Sequence, residues 1–200
     1  MITLYFAPRT RAIRVRWLLE ELGLPHELRR VDFQIPTRTF QQHTPLGKLP
    51  VIEDGEVTIC ESGAILEYIL ERYGDGRLAP AVGTPQRGEF LQWMHFAEAT
   101  AFAPLGVIVW HTLYKGDADA VPTAIAGARE RAFDALGFVD RALAHRPYLL
   151  GDEFTAADIM MGFTLGAAQL LGALDARHAN LPPYLARLQA RPAFQRSAEL

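Results

Sequence analysis

Pro45-Leu46-Gly47-Lys48-Leu49-Pro50-Val51, followed after one hairpin by Glu61-Ser62-Gly63-Ala64-Ile65, decides how this chain is read. A proline among strand residues cannot donate to a sheet ladder, so Pro50 marks an edge, a turn or a cis bond. A cis Leu49-Pro50 bond would turn the free N–H and C=O of Leu49 outward, toward an extended ligand. Ser62 then opens the run Ile65, Leu66, Ile69, Leu70, Tyr73, whose 3, 4, 7 spacing is that of a helix face. The first backbone N–H groups of such a helix have no internal partners, and its macrodipole favours a carboxylate there. Taken alone, Glu61 and Ser62 would be an ordinary helix cap with an acidic neighbour. Beside the Pro50 loop they are better read as an anion seat next to a backbone clamp.

Outward from this stretch, Ile2 to Phe6 reads as a strand, Ala7-Pro8-Arg9 as a loop, and Val15, Leu18, Leu19, Leu22 as the apolar face of a helix. Gly23 and Pro25 stop that helix. Glu27 to Phe33 returns as a second strand, parallel to the first. Val51-Ile52 and Val57 to Cys60 flank Glu53-Asp54-Gly55-Glu56, where Asp54-Gly55 signals a hairpin turn. The order βαβ then ββα, within residues 1–74, resembles a thioredoxin fold (βαβββα type). Residues 75–84 are glycine-rich and read as a linker. From 85 to 200 the chain reads as an all-α bundle. One helix starts at the Thr84-Pro85 cap and runs to about Tyr114 with a kink at Pro104. A second spans about Pro122 to Ala144. A third is announced by the capping box Thr155-Ala156-Ala157-Asp158, with Phe154 and Ile159 as its staple, and a short last helix lies between Pro182 and Pro192.

The chain has 200 residues, half of them apolar, and a formal charge of -3. That balance, without a Lys/Arg cluster, argues against a nucleic-acid footprint. No signal peptide and no uninterrupted apolar run of membrane-spanning length is read, so a soluble, cytoplasmic protein is expected. The single Cys60 allows no internal disulfide and fits a reducing compartment. It reads as a small buried hydrophobe. His95 and His111 have no second ligand at convincing spacing, so no metal is expected.

Four segments together resemble the cytosolic glutathione transferases over essentially the whole chain. Leu46 to Val51 resembles that family's cis-proline loop, and Glu61 to Ile65 the segment receiving the γ-glutamyl end of glutathione. Arg14 to Gly23 is similar to the family's first helix, and Gly151 to Asp158 to its buried capping motif. The resemblance implies that glutathione lies extended beside Leu49 and Pro50. Its γ-glutamyl carboxylate would sit on Ser62, its ammonium on Glu61, and its cysteinyl-glycine end within reach of Lys48, with Arg9 a further binding residue. It also implies a homodimer and an apolar electrophile pocket drawing on Phe102, Leu105 and Trp110, from a stretch that by itself reads mostly as core.

The chemistry to be supplied is a thiolate near neutral pH from a thiol with an ordinary pKa of about 8.5. Lowering it by about two units takes roughly 2.7 kcal/mol of extra thiolate stabilisation. The groups at the end of the first strand are Tyr5, Arg9, Thr10 and Arg11. Set beside the tyrosine classes, Tyr5 falls on the catalytic tyrosine and Arg11 on an arginine near glutathione. Leu4 to Pro8 is also similar to bacterial nu-type members, in which the loop after the proline contacts sulfur and which often reduce disulfides and peroxides. Ala7 stands where the serine classes carry their serine, which leaves Thr10 as the loop's hydroxyl, and the beta-class cysteine is replaced by Arg11. Both Tyr5 and the Thr10 loop therefore stand as activators. The expected function is conjugation of glutathione to small hydrophobic electrophiles. The alternatives are a glutathione-dependent peroxidase or disulfide reductase, and a non-enzymatic interaction module.

Overall fold

The computed structural model describes residues 1–31 and 47–198. Pro45, Leu46 and the expected strand residues beyond Val31 lie outside them. The described chain divides into two compact units, Met1–Ala79 with Ala190–Leu200, and Pro80–Gln189.

The first unit is built on four strands, β1 (Ile2–Phe6), β2 (His26–Arg30), β3 (Val51–Asp54) and β4 (Val57–Cys60). Their order is β2-β1-β3-β4, with β1 parallel to β2 and the other pairs antiparallel. Leu4 and Ile52 face one another across the middle of the sheet and are wholly buried. The edge strand β2 carries Glu27, Arg29 and Arg30, charges that discourage further strand pairing. Helices α1 (Ala12–Leu22) and α2 (Ser62–Tyr73) cover the sheet with the apolar faces read from the sequence, Val15, Leu18, Leu19 and Leu22 in the first, Ile65, Leu66 and Ile69 in the second. Gly23 ends α1 at φ 65°, with the N–H of Gly23 on Glu20 O and that of Leu24 on Leu19 O. A left-handed residue is needed there, and glycine adopts it without a Cβ penalty. Asp54-Gly55 turns the β3–β4 hairpin, and the Leu49–Pro50 peptide bond is cis.

The helical unit has its first helix capped by Thr84, whose hydroxyl accepts the N–H of Arg87. Its first run is four helical pieces in sequence: α3 (Pro85–Phe96), a π segment Ala97–Phe102, α4 (Ala103–Val109) and a second π segment Trp110–Lys115. Pro104 has no N–H for the carbonyl four residues back, and the wider π turns stand directly before it. The run Pro85–Lys115 is long and apolar enough to cross a bilayer. It nevertheless packs Phe90, Trp93, Met94, Leu105 and Ile108 into this unit, as the core helix of a globular bundle does. Helices α5 (Pro122–Ala142), α6 (Ala156–Leu170) and α7 (Leu181–Gln189) complete it. The capping box of α6 is present, and the wholly buried Asp158 also accepts Leu149 N–H and the Tyr184 hydroxyl.

One element differs from the sequence reading. A further helix, α8 (Pro192–Ala198), follows α7, and it packs on α1 in the first unit. Arg191 forks onto Glu21 at 2.6 and 2.8 Å, Arg196 reaches Glu20 at 2.7 Å, and Phe194 meets Trp17 edge-on at 4.9 Å. Residues 190–198, read as the tail of the helical domain, pack within the first unit, where α1 supplies charged and aromatic partners.

Candidate functional site

The N-terminus of α2 is preceded by an unusual backbone conformation. Glu61 precedes it at φ 74°, ψ 111°, a conformation an L-residue with a Cβ seldom adopts, and its carboxylate does not cap the helix. The cost of such a conformation is of order 1 to 3 kcal/mol, and residues held that way cluster at functional sites. Held there, Glu61 is exposed while Ser62 behind it is buried, at 4% exposure. No acidic residue occupies the first turn of α2, so its amides keep their attraction for an anion.

Beside it the cis-proline loop presents Leu49 and Pro50, both buried, with Lys48 exposed before them. Leu49, Tyr5, Ala7 and Val51 form one apolar cluster, against which Cys60 packs half-buried. This cluster ties the loop to the end of β1, from which Ala7 to Arg11 leads into α1.

The two candidate hydroxyls have different surroundings. The Tyr5 hydroxyl donates to Glu53 Oε1 at 2.9 Å and accepts from Arg29 Nη1 at 3.1 Å. Glu53 stands opposite Thr3 in the β1–β3 register, so the tyrosine leans back along β1, away from the Ala7–Arg11 loop. Burial and the Glu53 carboxylate push its pKa above the ordinary value. Thr10 lies in the loop itself. Its hydroxyl donates to Ala7 O at 2.7 Å and accepts the N–H of Ala12 at 3.3 Å, closing the turn that starts α1. Arg9 is exposed at φ 61°, and half-buried Arg11 is the residue that enters the helix.

The expected electrophile residues separate. Leu105 is wholly buried and Phe102 nearly so, stacked on Phe163 at 5.9 Å, so both serve the core of the helical unit. Trp110 is 51% exposed and stacks on Tyr114. An open apolar groove of about 630 Å³ runs along the same helix, lined by Phe96, Ala103, Pro104, Val107 and Phe138 among others, and includes none of the three. Among the described residues, no group of His, Cys, Asp and Glu is arranged to hold a metal ion.

One residue escaped the sequence reading. Arg14 is wholly buried, and its Nη1 donates to Ser62 Oγ at 3.1 Å. The signal was present: Arg14 stands four residues before Leu18 and eight before Leu22, a charged side chain on the buried face of α1.

Comparison with known proteins agrees with this geometry. The family model described as glutathione S-transferase, N-terminal domain, matches residues 4–78, and that of the glutathione S-transferase C-terminal domain matches 122–195. Glutathione S-transferase 3 of Schizosaccharomyces pombe is 32% identical, across 100% of this chain and 87% of that protein.

The chain belongs to the glutathione S-transferase family.

Among solved structures, a family member from Pseudomonas fluorescens with two glutathione bound has 28% identity and a TM-score of 0.87, covering 99% of this chain and 92% of its own. Glutathione transferase URE2P6 of Phanerochaete chrysosporium, in complex with oxidized glutathione, has 26% identity and a TM-score of 0.85, covering 98% and 94%. The mixed four-stranded sheet with its helices, followed by an all-helical part, is the glutathione transferase fold.

Proposed function

We propose that this family member binds glutathione along Leu49–Pro50 and Glu61–Ser62 and uses its thiolate against small hydrophobic electrophiles. The observation that carries the proposal is Glu61, an exposed carboxylate held in a strained conformation directly before a buried serine at an anion-favouring helix start. In this reading Leu49 pairs with the peptide backbone as an added strand would. Ser62 and the α2 amides take the γ-glutamyl carboxylate, Glu61 takes the ammonium, and Lys48 and Arg9 face the other end. The sulfur then falls at the loop Ala7–Arg11, where the α1 N-terminus and Arg11 stabilise the thiolate, joined by the Thr10 hydroxyl when it exchanges its bond to Ala7 O for one to sulfur.

The orientation of Tyr5 favours a second reading, reduction of peroxides or mixed disulfides by glutathione. With its hydroxyl on Glu53 and Arg29, the tyrosine of β1 does not serve the sulfur, as in the nu-type pattern. Exposed Trp110 is retained as a contact for the second substrate, and Phe102 and Leu105 support it from the core. We further propose a homodimer, as the family usually forms, and a cytoplasmic location, which a thiol co-substrate and a single cysteine both suit.

The test is calorimetry with glutathione, followed by assays with an aryl halide, cumene hydroperoxide and a mixed disulfide. Ser62→Ala should weaken glutathione binding by about 1 to 3 kcal/mol, the worth of a hydrogen bond to a charged group. Unchanged affinity in a folded Ser62→Ala protein would sink the seat assignment. Turnover of the aryl halide alone selects conjugation, and turnover of the disulfide or peroxide selects reduction. Sedimentation at micromolar concentration checks the dimer, and cell fractionation the location.

A further inference from the structure

We propose that Arg14 is the positioning residue of the α2 seat: it orients the Ser62 hydroxyl toward a bound carboxylate and places a buried positive charge behind it. The proposal rests on the reading of Glu61–Ser62 as the γ-glutamyl seat.

A serine hydroxyl has one proton to give and two lone pairs, whereas a guanidinium only donates. With Arg14 Nη1 at 3.1 Å from Ser62 Oγ, one lone pair of the serine is occupied by the arginine. The serine cannot return its proton to that partner, so the proton is free to point at an acceptor arriving at the helix start. Arginine keeps its charge at any working pH, and at 0% exposure this one is unscreened by solvent. The chain from guanidinium to hydroxyl to carboxylate runs donor to acceptor throughout, an arrangement in which each bond polarises the next. Helix α1 is what makes it possible. Ala12, Val15, Leu18 and Leu19 fix its buried face on the sheet, and Arg14 is carried by that face against α2.

The experiment titrates the wild type, Arg14→Lys and Arg14→Met with glutathione and with the analogue whose γ-glutamyl α-carboxylate is an amide. Arg14→Met is expected to lose about tenfold in affinity for glutathione and to bind the amide as the wild type does. Arg14→Lys should retain part of the preference. In a Ser62→Ala background, Arg14→Met should cause a smaller loss than in the wild type, because the part of its effect that acts through the serine is already gone. Equal losses for both ligands would show that Arg14 merely supports the fold, and would overturn the inference while leaving the seat standing. Because a buried substitution can prevent folding, nitrogen NMR of the Arg14 guanidinium in the wild type gives an independent reading. Its Nη signals should shift on adding glutathione and not on adding the amide, and an unmoved signal with glutathione bound would overturn the inference. A wild type that binds neither ligand would instead refute the glutathione reading itself.

Discussion

Tyr5 and Thr10 show how one hydroxyl's direction separates two mechanisms. Both sit at the C-terminal end of β1 or just beyond it, yet Tyr5 is turned back onto Glu53 and Arg29 while Thr10 stays within the loop. Tyr5→Phe is therefore expected to leave the thiolate pKa of bound glutathione and the rate at neutral pH nearly unchanged. Thr10→Ala should raise that pKa and slow turnover by about tenfold to a hundredfold, the scale of one lost donor to a developing charge. Thr10→Ser, which keeps the hydroxyl, should restore most of the rate. Ultraviolet titration of the thiolate in each binary complex checks this, and a large effect of Tyr5→Phe would return the role to the tyrosine. No local pattern could have made the choice. The sequence bears a resemblance to both classes, and it is the register of Thr3 opposite Glu53 that places a carboxylate within reach of the tyrosine.

At the scale of elements, two buried carboxylates hold helices in place. Asp158 joins the α6 cap to the Leu149 turn and to Tyr184 of α7. Burial pushes its carboxyl up against the donors that hold it down, and Tyr184 is pushed well above its ordinary value by burial and by Asp158. Asp158→Ala removes the cap and strands those donors, so it should cost about 2 to 4 kcal/mol in urea unfolding. Asp54, at the end of β3, accepts the hydroxyls of Tyr68 and Tyr73 from α2. The Tyr73 hydroxyl foremost, then Tyr68 and the neighbouring Arg72, hold its carboxyl below the ordinary value. A carboxyl depressed by folding adds stability above its unfolded pKa of about 3.9 and loses it as pH falls through the folded value. Asp54→Ala should accordingly be less stable than wild type at pH 7, by about 1 to 2 kcal/mol, and the gap should close as pH falls below about 4. Thermal unfolding across that pH range measures it, and a gap that widens in acid would contradict the assignment.

Across the whole molecule, the notable feature is that the end of the chain returns to the unit that contains its beginning. Glu21 receives Arg191 through two hydrogen bonds and Trp17 Nε1 through a third, and its side chain is only 10% exposed. Arg191→Ala would leave that carboxylate largely buried without its charge partner, at a cost of about 2 kcal/mol. Hydrogen exchange should locate the loss in β1, α1 and α2, and not in α5 to α7. A loss confined to the helical unit would contradict the division of the chain.

By itself the sequence determined what depends on near neighbours. The spacing of Ile65 to Tyr73 made α2, Gly23 ended α1, Asp54-Gly55 turned the hairpin, and Thr155 to Asp158 capped α6, because each needs only a few consecutive residues. The helix start at Glu61-Ser62, where the seat is proposed, was legible for the same reason, since helix starts declare themselves locally. Tertiary structure decided what depends on distant partners. Arg14 lies 48 positions from Ser62, Tyr5 lies 48 from Glu53, and Arg191 lies 170 from Glu21. Leu105 could line a pocket or fill the core, and packing puts it in the core. A side chain's period along a helix or strand sets which face it occupies, but only the packing of that face supplies the donor, acceptor or solvent that gives the residue its role.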